Sequence, residues 1–285
     1  MRPERDTIAS PDLPEGMDWV GEEPESMPAL TAAGPALVHF LDFAQLNSVR
    51  TLPYVSEWAR RYEELGLATI GVQAPRFPFG ADRDAVAAGL ARLGVEFPVA
   101  IDADRRLWHE YGCEGWPSLF LWAQGSALAW FHFGEGEYQA TEEAIQAELR
   151  EIDALRALPE PMAPLRPTDA PNARVMPPTP ELFPGGSWEH PWTADEDGDV
   201  LEIEYEASGA HITVEGNGQI QITLDGVTQQ PIEIDGPALY DLAIHPHHER
   251  HALTLRPSPG LRIWTISFPA GLPPAGGAGV GSPRE

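Results

Sequence analysis

The chain has 285 residues, 42% of them hydrophobic, a formal charge of −26 and one cysteine. That length supports two cores, while the charge excludes the clustered cations that nucleic-acid phosphates and anionic membrane surfaces demand. All 18 basic side chains are arginines, a lone cysteine builds no disulfide framework, and neither an apolar leader nor a membrane-length run is visible, so the cytoplasm is the expected compartment.

Residues 1–35 are rich in Pro, Glu and Gly and read as an irregular lead-in with Trp19 pinned to the first core. Residues 36–40 form an apolar run, a buried strand. A polar turn follows at Gln45-Leu46-Asn47-Ser48, after which Leu52, Val55, Trp58, Ala59 and Tyr62 recur at helical spacing. A second strand is predicted over 67–72, entered through Gly66. Asp82 reads as the N-cap of a helix running to Leu93 and closed by Gly94. A third strand over 95–102, a short helix over 105–111, strands over 119–122 and 127–133, and a helix over 141–158 complete a first domain at 36–158. Residues 159–184 are dense in proline and read as an extended linker.

Beyond Ala194 the hydrophobic period becomes two, with turn signals at Ser208-Gly209, Gly216-Asn217-Gly218, Asp225-Gly226 and Asp235-Gly236. Short alternating strands between regular turns predict an all-β sandwich over 185–268. The Gly- and Pro-rich tail, 269–285, is expected to be disordered.

Several of these stretches resemble one family. Asn47 and the run Arg50-Thr51-Leu52-Pro53-Tyr54 match the thioredoxin-like domain of the TlpA/DipZ group, whose turn reads Cys-x-Asn-Cys before x-Arg-Thr-Leu-Pro-Tyr. The loop from Ala74 to Gly80 and the run Phe133-Gly134-Glu135-Gly136-Glu137-Tyr138 are similar to the same family's. Thr179-Pro180-Glu181, Leu224-Asp225-Gly226-Val227 and Ser258-Pro259-Gly260-Leu261 resemble its C-terminal region, a carbohydrate-binding-module-like sandwich. The resemblance implies an α/β thioredoxin-like domain followed by a jelly-roll-like β-sandwich. It implies a cis peptide at Pro117, facing the turn. It also places Gln45 and Ser48 where relatives have their two cysteines.

Disulfide exchange needs a thiolate and a second, resolving thiol. Gln45 offers no such nucleophile, and the Ser48 hydroxyl would need a neighbouring base. The main reading is therefore a redox-inactive binding or scaffold protein with no catalytic residue and no cofactor. Its groove would be made by Phe43, Gln45, Leu46, Asn47, Ser48, Trp116 and Pro117, with Tyr54 adding apolar contact, for a protein, peptide or glycan partner. One alternative is a thiol-dependent oxidoreductase or redox sensor using Cys113, four residues before Pro117. Another is carbohydrate recognition by the sandwich, with Trp188 and Trp192 stacking on a sugar or sealing the domain edge. His245, His247, His248 and His251, read as a polar connection between two strands, are weak candidates for a metal. Asp195, Glu196, Asp197, Asp199, Glu202, Glu204 and Glu206 suit either calcium or a plain solvent face.

Overall fold

Two hydrophobic patterns build two separate sheets. The structure is a computed structural model describing residues 8–195 and 199–274, and it divides the chain into two compact units, Met1–Pro164 and Leu165–Glu285.

In the first unit the elements run β1 (Asp18–Val20), α1 (Met27–Leu30), β2 (Ala36–Leu41), α2 (Leu46–Tyr62), β3 (Ala68–Gln73), α3 (Arg83–Arg92), β4 (Val99–Ile101), α4 (Arg106–Glu110), β5 (Ser118–Trp122), β6 (Leu128–Phe133) and α5 (Tyr138–Ile152). They form one six-stranded sheet in the order β1-β4-β3-β2-β5-β6. Strands β2, β3 and β4 are parallel, and β5 and β6 add antiparallel beside β2. This is an α/β thioredoxin-like fold.

Strand β2 is buried at all six positions because helices cover both faces. Successive side chains alternate between the faces. Ala36, Val38 and Phe40 enter a core with Trp19, Trp108, Tyr111 and Phe120. Leu37 enters another with Tyr54, Trp58, Tyr62 and Leu149. The lead-in is more ordered than its composition predicts. Trp19, buried as expected, sits in strand β1, which pairs antiparallel with β4. Asp82 caps α3 by accepting the Ala85 N–H, as read from sequence. The last helix is displaced from its predicted 141–158: α5 runs from Tyr138 to Ile152, and the Thr141 hydroxyl donates to the Glu137 carbonyl one turn back.

The second unit is all antiparallel: β7 (Trp192–Thr193), β8 (Leu201–Glu215), β9 (Asn217–Leu224), β10 (Val227–Thr228), β11 (Ile232–Asp235), β12 (Ala238–Pro257) and β13 (Arg262–Ser267). The sheet order is β10-β9-β12-β8-β13-β7, with β11 also on β9. The long strands β8 and β12 break register twice against each other, at Asp241/Ala243 and Ile244/Glu249. Such shifts bend and twist a strand, so the sheet curls over a single core that includes Tyr205, Ile212, Val214, Ile222, Leu255 and Ile266. The turn expected at Ser208-Gly209 is absent, and β8 runs straight through it. The irregularity lies in the partner: Ile244 faces Gly209 and Glu249 faces Ala207, so His245, Pro246, His247 and His248 bulge opposite Ser208.

The proline-rich stretch is held at both ends. The Pro159 carbonyl accepts from Gln146, the Glu160 carbonyl from Arg61, and the Met162 N–H donates to Glu142. Further on, Thr179 N–H donates to the Glu206 carbonyl, and Leu182 bridges to Ile266. Backbone groups thus find partners even where apolar side chains are few. The Gly- and Pro-rich tail divides likewise. Pro269, Ala270 and Leu272 carbonyls are hydrogen-bonded within the second unit, while residues 275–285 lie outside those described.

His39, in the middle of β2, is fully buried with neither ring nitrogen hydrogen-bonded. Burial pushes its pKa down from 6.5 to about 3. The unfolded chain therefore binds a proton that the folded chain refuses, and stability falls as pH drops from 6.5 toward 3. The loss is on the order of 4 kcal/mol across that window. In denaturant titrations at pH 7 and pH 4, His39→Leu should remove most of this pH dependence.

Candidate functional site

The site is built where β2 ends and α2 begins. Gln45 is the N-cap of α2, its side-chain oxygen accepting the Ser48 N–H at 2.8 Å. Ser48 is fully buried, and its hydroxyl oxygen accepts the Asp42 N–H at 3.1 Å. Asp42 is itself fully buried. Its carboxylate accepts the Ala44 N–H at 2.8 Å and the Arg76 N–H at 2.6 Å. Burial pushes the Asp42 pKa up, opposed by these two N–H donors, the Arg76 charge and Gln73. Gln73 also accepts the Phe43 N–H at 3.0 Å. The ends of β2 and β3 are thus joined through side chains.

Trp116-Pro117 is a cis peptide, as expected. Pro117 is buried immediately before β5, whose first residue, Ser118, pairs with Phe40 of β2. The Trp116 ring stacks on Trp108 at 4.4 Å, and its indole N–H donates to the Ala74 carbonyl at 2.8 Å. Of the seven groove residues read from sequence, Phe43, Leu46, Ser48 and Pro117 are buried, and only Gln45, Asn47 and Trp116 reach the surface. Phe43 is withdrawn because α3 packs onto it: a Cβ added at Gly89 would lie 2.3 Å from its ring. Tyr54 is likewise core, stacked on Tyr138 at 3.8 Å.

That stack belongs to a clamp the sequence reading did not assemble. Arg50 donates to Glu135 at 2.7 Å, and the Thr51 and Tyr138 hydroxyls lie 3.2 Å apart. Two separately noted stretches, Arg50 to Tyr54 and Gly134 to Tyr138, meet in space and lock α2 to the start of α5. A second network missed in the sequence centres on buried Glu142, which accepts from Arg61 at 2.8 Å, from the Tyr62 hydroxyl at 2.7 Å and from the Met162 N–H at 2.8 Å. No motif marks Glu142; only helical periodicity placing a charge on the apolar face of α5 could have flagged it.

Cys113 packs against the core of Trp108, Tyr111 and Phe120. Burial raises its pKa to about 12, with Asp102 adding to the rise and Ser118 opposing it. At neutral pH it is a thiol, not a thiolate. In the second unit His245 and His251 stack face to face, and among the described residues no group of three or more His, Cys, Asp or Glu has metal-holding geometry. Glu202, Glu204 and Glu206 alternate outward along β8, Glu204 pairing with Arg250 at 2.6 Å. Glu196 and Asp197 lie outside the described residues. Trp192 packs against the sheet core, whereas Trp188 is 41% exposed. Among the described residues no helix is long and apolar enough to cross a membrane.

Residues 182–268 match the family described as thioredoxin like C-terminal domain. Over 91% of its length the chain is 26% identical to protein DipZ of Mycobacterium bovis. The chain is DipZ-like across both units. It spans 42% of that protein's length. It is also 25% identical, over 77% of its length, to NHL repeat-containing protein 2 of Homo sapiens, covering 29% of that protein. Among solved structures, a thiol-disulfide isomerase from Corynebacterium glutamicum aligns with a TM-score of 0.42 at 19% identity, over 49% of this chain and 96% of that one. The DipZ-like chain pairs a thioredoxin-like fold with a curled all-β unit.

With its pKa at about 12, Cys113 in the native DipZ-like chain should resist a disulfide reagent such as DTNB at pH 7.5. In 6 M guanidinium the full single thiol should titrate at least roughly 100-fold faster, because the unfolded pKa returns toward the ordinary value. Separately, Glu142→Ala should lower stability by about 3 kcal/mol in urea melts, leaving Arg61 and Tyr62 without their buried partner.

Proposed function

We propose that this chain is a DipZ-like binding or scaffold module that carries out no dithiol chemistry of its own. The observation that supports this most is the state of the α2 N-terminus. A cysteine at that N-cap would have its pKa lowered by the helix dipole, and a second thiol three residues on would resolve a mixed disulfide. Here the N-cap is Gln45, its oxygen already spent on the Ser48 N–H, and the Ser48 hydroxyl accepts from Asp42. The sole thiol, Cys113, is half-buried against the core with a raised pKa, which speaks against the lone-thiol oxidoreductase as well.

What the site retains is shape. Gln45, Asn47 and Trp116 form its exposed part, on a turn braced from below by Asp42, Gln73 and the Arg50–Glu135 pair. The Gln45 and Asn47 amides beside the face of the Trp116 ring suit hydrogen bonding and apolar contact with a peptide or protein partner. We place the two modules at residues 36–158 and 185–268.

The native chain should show no insulin reduction above the dithiothreitol background, and turnover above it would overturn the proposal. Gln45→Cys combined with Ser48→Cys should yield a protein that loses two free thiols on oxidation and regains them with dithiothreitol. A folded double variant whose thiols never pair would show that the turn is not the dithiol scaffold it is taken to be.

A further inference from the structure

The histidine-rich bulge of β12 is half-buried and internally connected. The rings of His245 and His251 stack with centroids 3.7 Å apart and planes 15° from parallel. On one side, His251 Nδ1 lies 2.7 Å from an Asp225 carboxylate oxygen. On the other, His245 Nε2 lies 2.8 Å from the Tyr205 hydroxyl. Asp225 is held below the usual carboxylate range by the Ala252 N–H and by His251, so it is charged and accepts from His251. Tyr205 is buried and its pKa is raised, so its phenol stays protonated and donates to His245. His251 Nε2 is buried and has no partner. The neutral arrangement is therefore two uncharged rings held between a carboxylate and a phenol.

The stack has no place for a proton on His245. His251 already gives its Nδ1–H to Asp225, and protonating His245 sets a cation face to face with the His251 ring 3.7 Å away and turns Nε2 from acceptor into donor against Tyr205. The surrounding charges do little to offset this. Glu249 and Asp225 favour protonation of His245, but burial and His251 outweigh them and lower its pKa. Glu204 and Glu206, flanking Tyr205 on β8, are exposed, and Arg250 is paired with Glu204. His247 and His248 in the bulge each have one buried, unpartnered ring nitrogen. Residues 266–272 bring no titratable side chain.

Those last residues rest on the bulge. Phe268 stacks on Tyr205 at 5.0 Å. His248 N–H donates to the Leu272 carbonyl at 2.8 Å. Ser208, opposite the bulge, donates to the Ala270 carbonyl at 2.8 Å. Gly271 lies so close that an added Cβ would sit 2.6 Å from Ser208 and 3.1 Å from His248. We propose that the His245–His251 stack is an acid-sensitive latch: protonation of His245 separates the rings, opens the 245–248 bulge and releases the strap at 268–272. The latch stands apart from the proposed binding role of the first unit and does not depend on it.

Hydrogen exchange of the full chain at pH 7 and pH 5, each referenced to the intrinsic rate at that pH, tests this. Protection over 245–251 and 268–272 should fall at least roughly tenfold at pH 5, while 212–214 keeps its protection. His245→Gln, which can still accept from Tyr205 but cannot be protonated, should hold its protection at both pH values. Equal protection of the wild-type strap at both pH values would overturn the proposal, as would an acid-induced loss in His245→Gln matching the wild type. A direct reading comes from the wild-type imidazole resonances by NMR. His245 should titrate below the ordinary imidazole range, and a His245 step at or above that range would also sink the latch.

Discussion

A buried carboxylate governs the first unit. Asp42 is fully enclosed, and an enclosed carboxylate is tolerable only when hydrogen-bond donors surround it. Its oxygens take the N–H groups of Ala44 and Arg76, and its own N–H is given to Ser48. Each of these bonds fixes a different piece of chain: the exit from β2, the loop after β3 and the first turn of α2. The turn that carries Gln45 and Asn47 is where it is because Asp42 has to be satisfied.

The same logic recurs at the far end of α2. Glu142 is buried in the face of α5 that meets the helix, and it is answered by Arg61, the Tyr62 hydroxyl and the Met162 N–H. With the Arg50–Glu135 and Tyr54–Tyr138 contacts, α2 is pinned to α5 along its length. Buried charge pairs of this type contribute little when intact and cost several kcal/mol when halved, so their effect is to make one arrangement of the helices much better than its neighbours. A turn held in one position, capped by Gln45, is the outcome.

The second unit solves a different problem. A twenty-residue strand cannot stay flat against a fifteen-residue partner while enclosing a core. The bulge at His245 to His248 takes up much of the mismatch, and its His245 ring meets Tyr205 and stacks on His251, three residues past the bulge and hydrogen-bonded to Asp225. A sheet irregularity and a titratable cluster are here one feature.

Much of this was legible in the chain itself. The all-apolar run of β2, the Asp82 cap and the period-two segments after Ala194 specify a mixed α/β unit followed by an all-β one, because periodicity and turn chemistry are local properties, while the thioredoxin-like reading came from the resemblance of the stretches around Arg50, Pro117 and Tyr138. The absence of a dithiol is likewise a matter of composition alone, since one cysteine cannot pair with itself. Tertiary structure decided the rest. Phe43 and Ser48 look available in a polar turn, but the approach of α3 at Gly89 and the demand of Asp42 bury them. Ser208-Gly209 and the histidine run both carry the composition of turns, yet β8 and β12 continue through them, because cross-strand pairing over a curled core outweighs a two-residue preference. Which residues reach solvent, and which imidazoles stack, depends on segments far apart in the chain, and no local pattern encodes that.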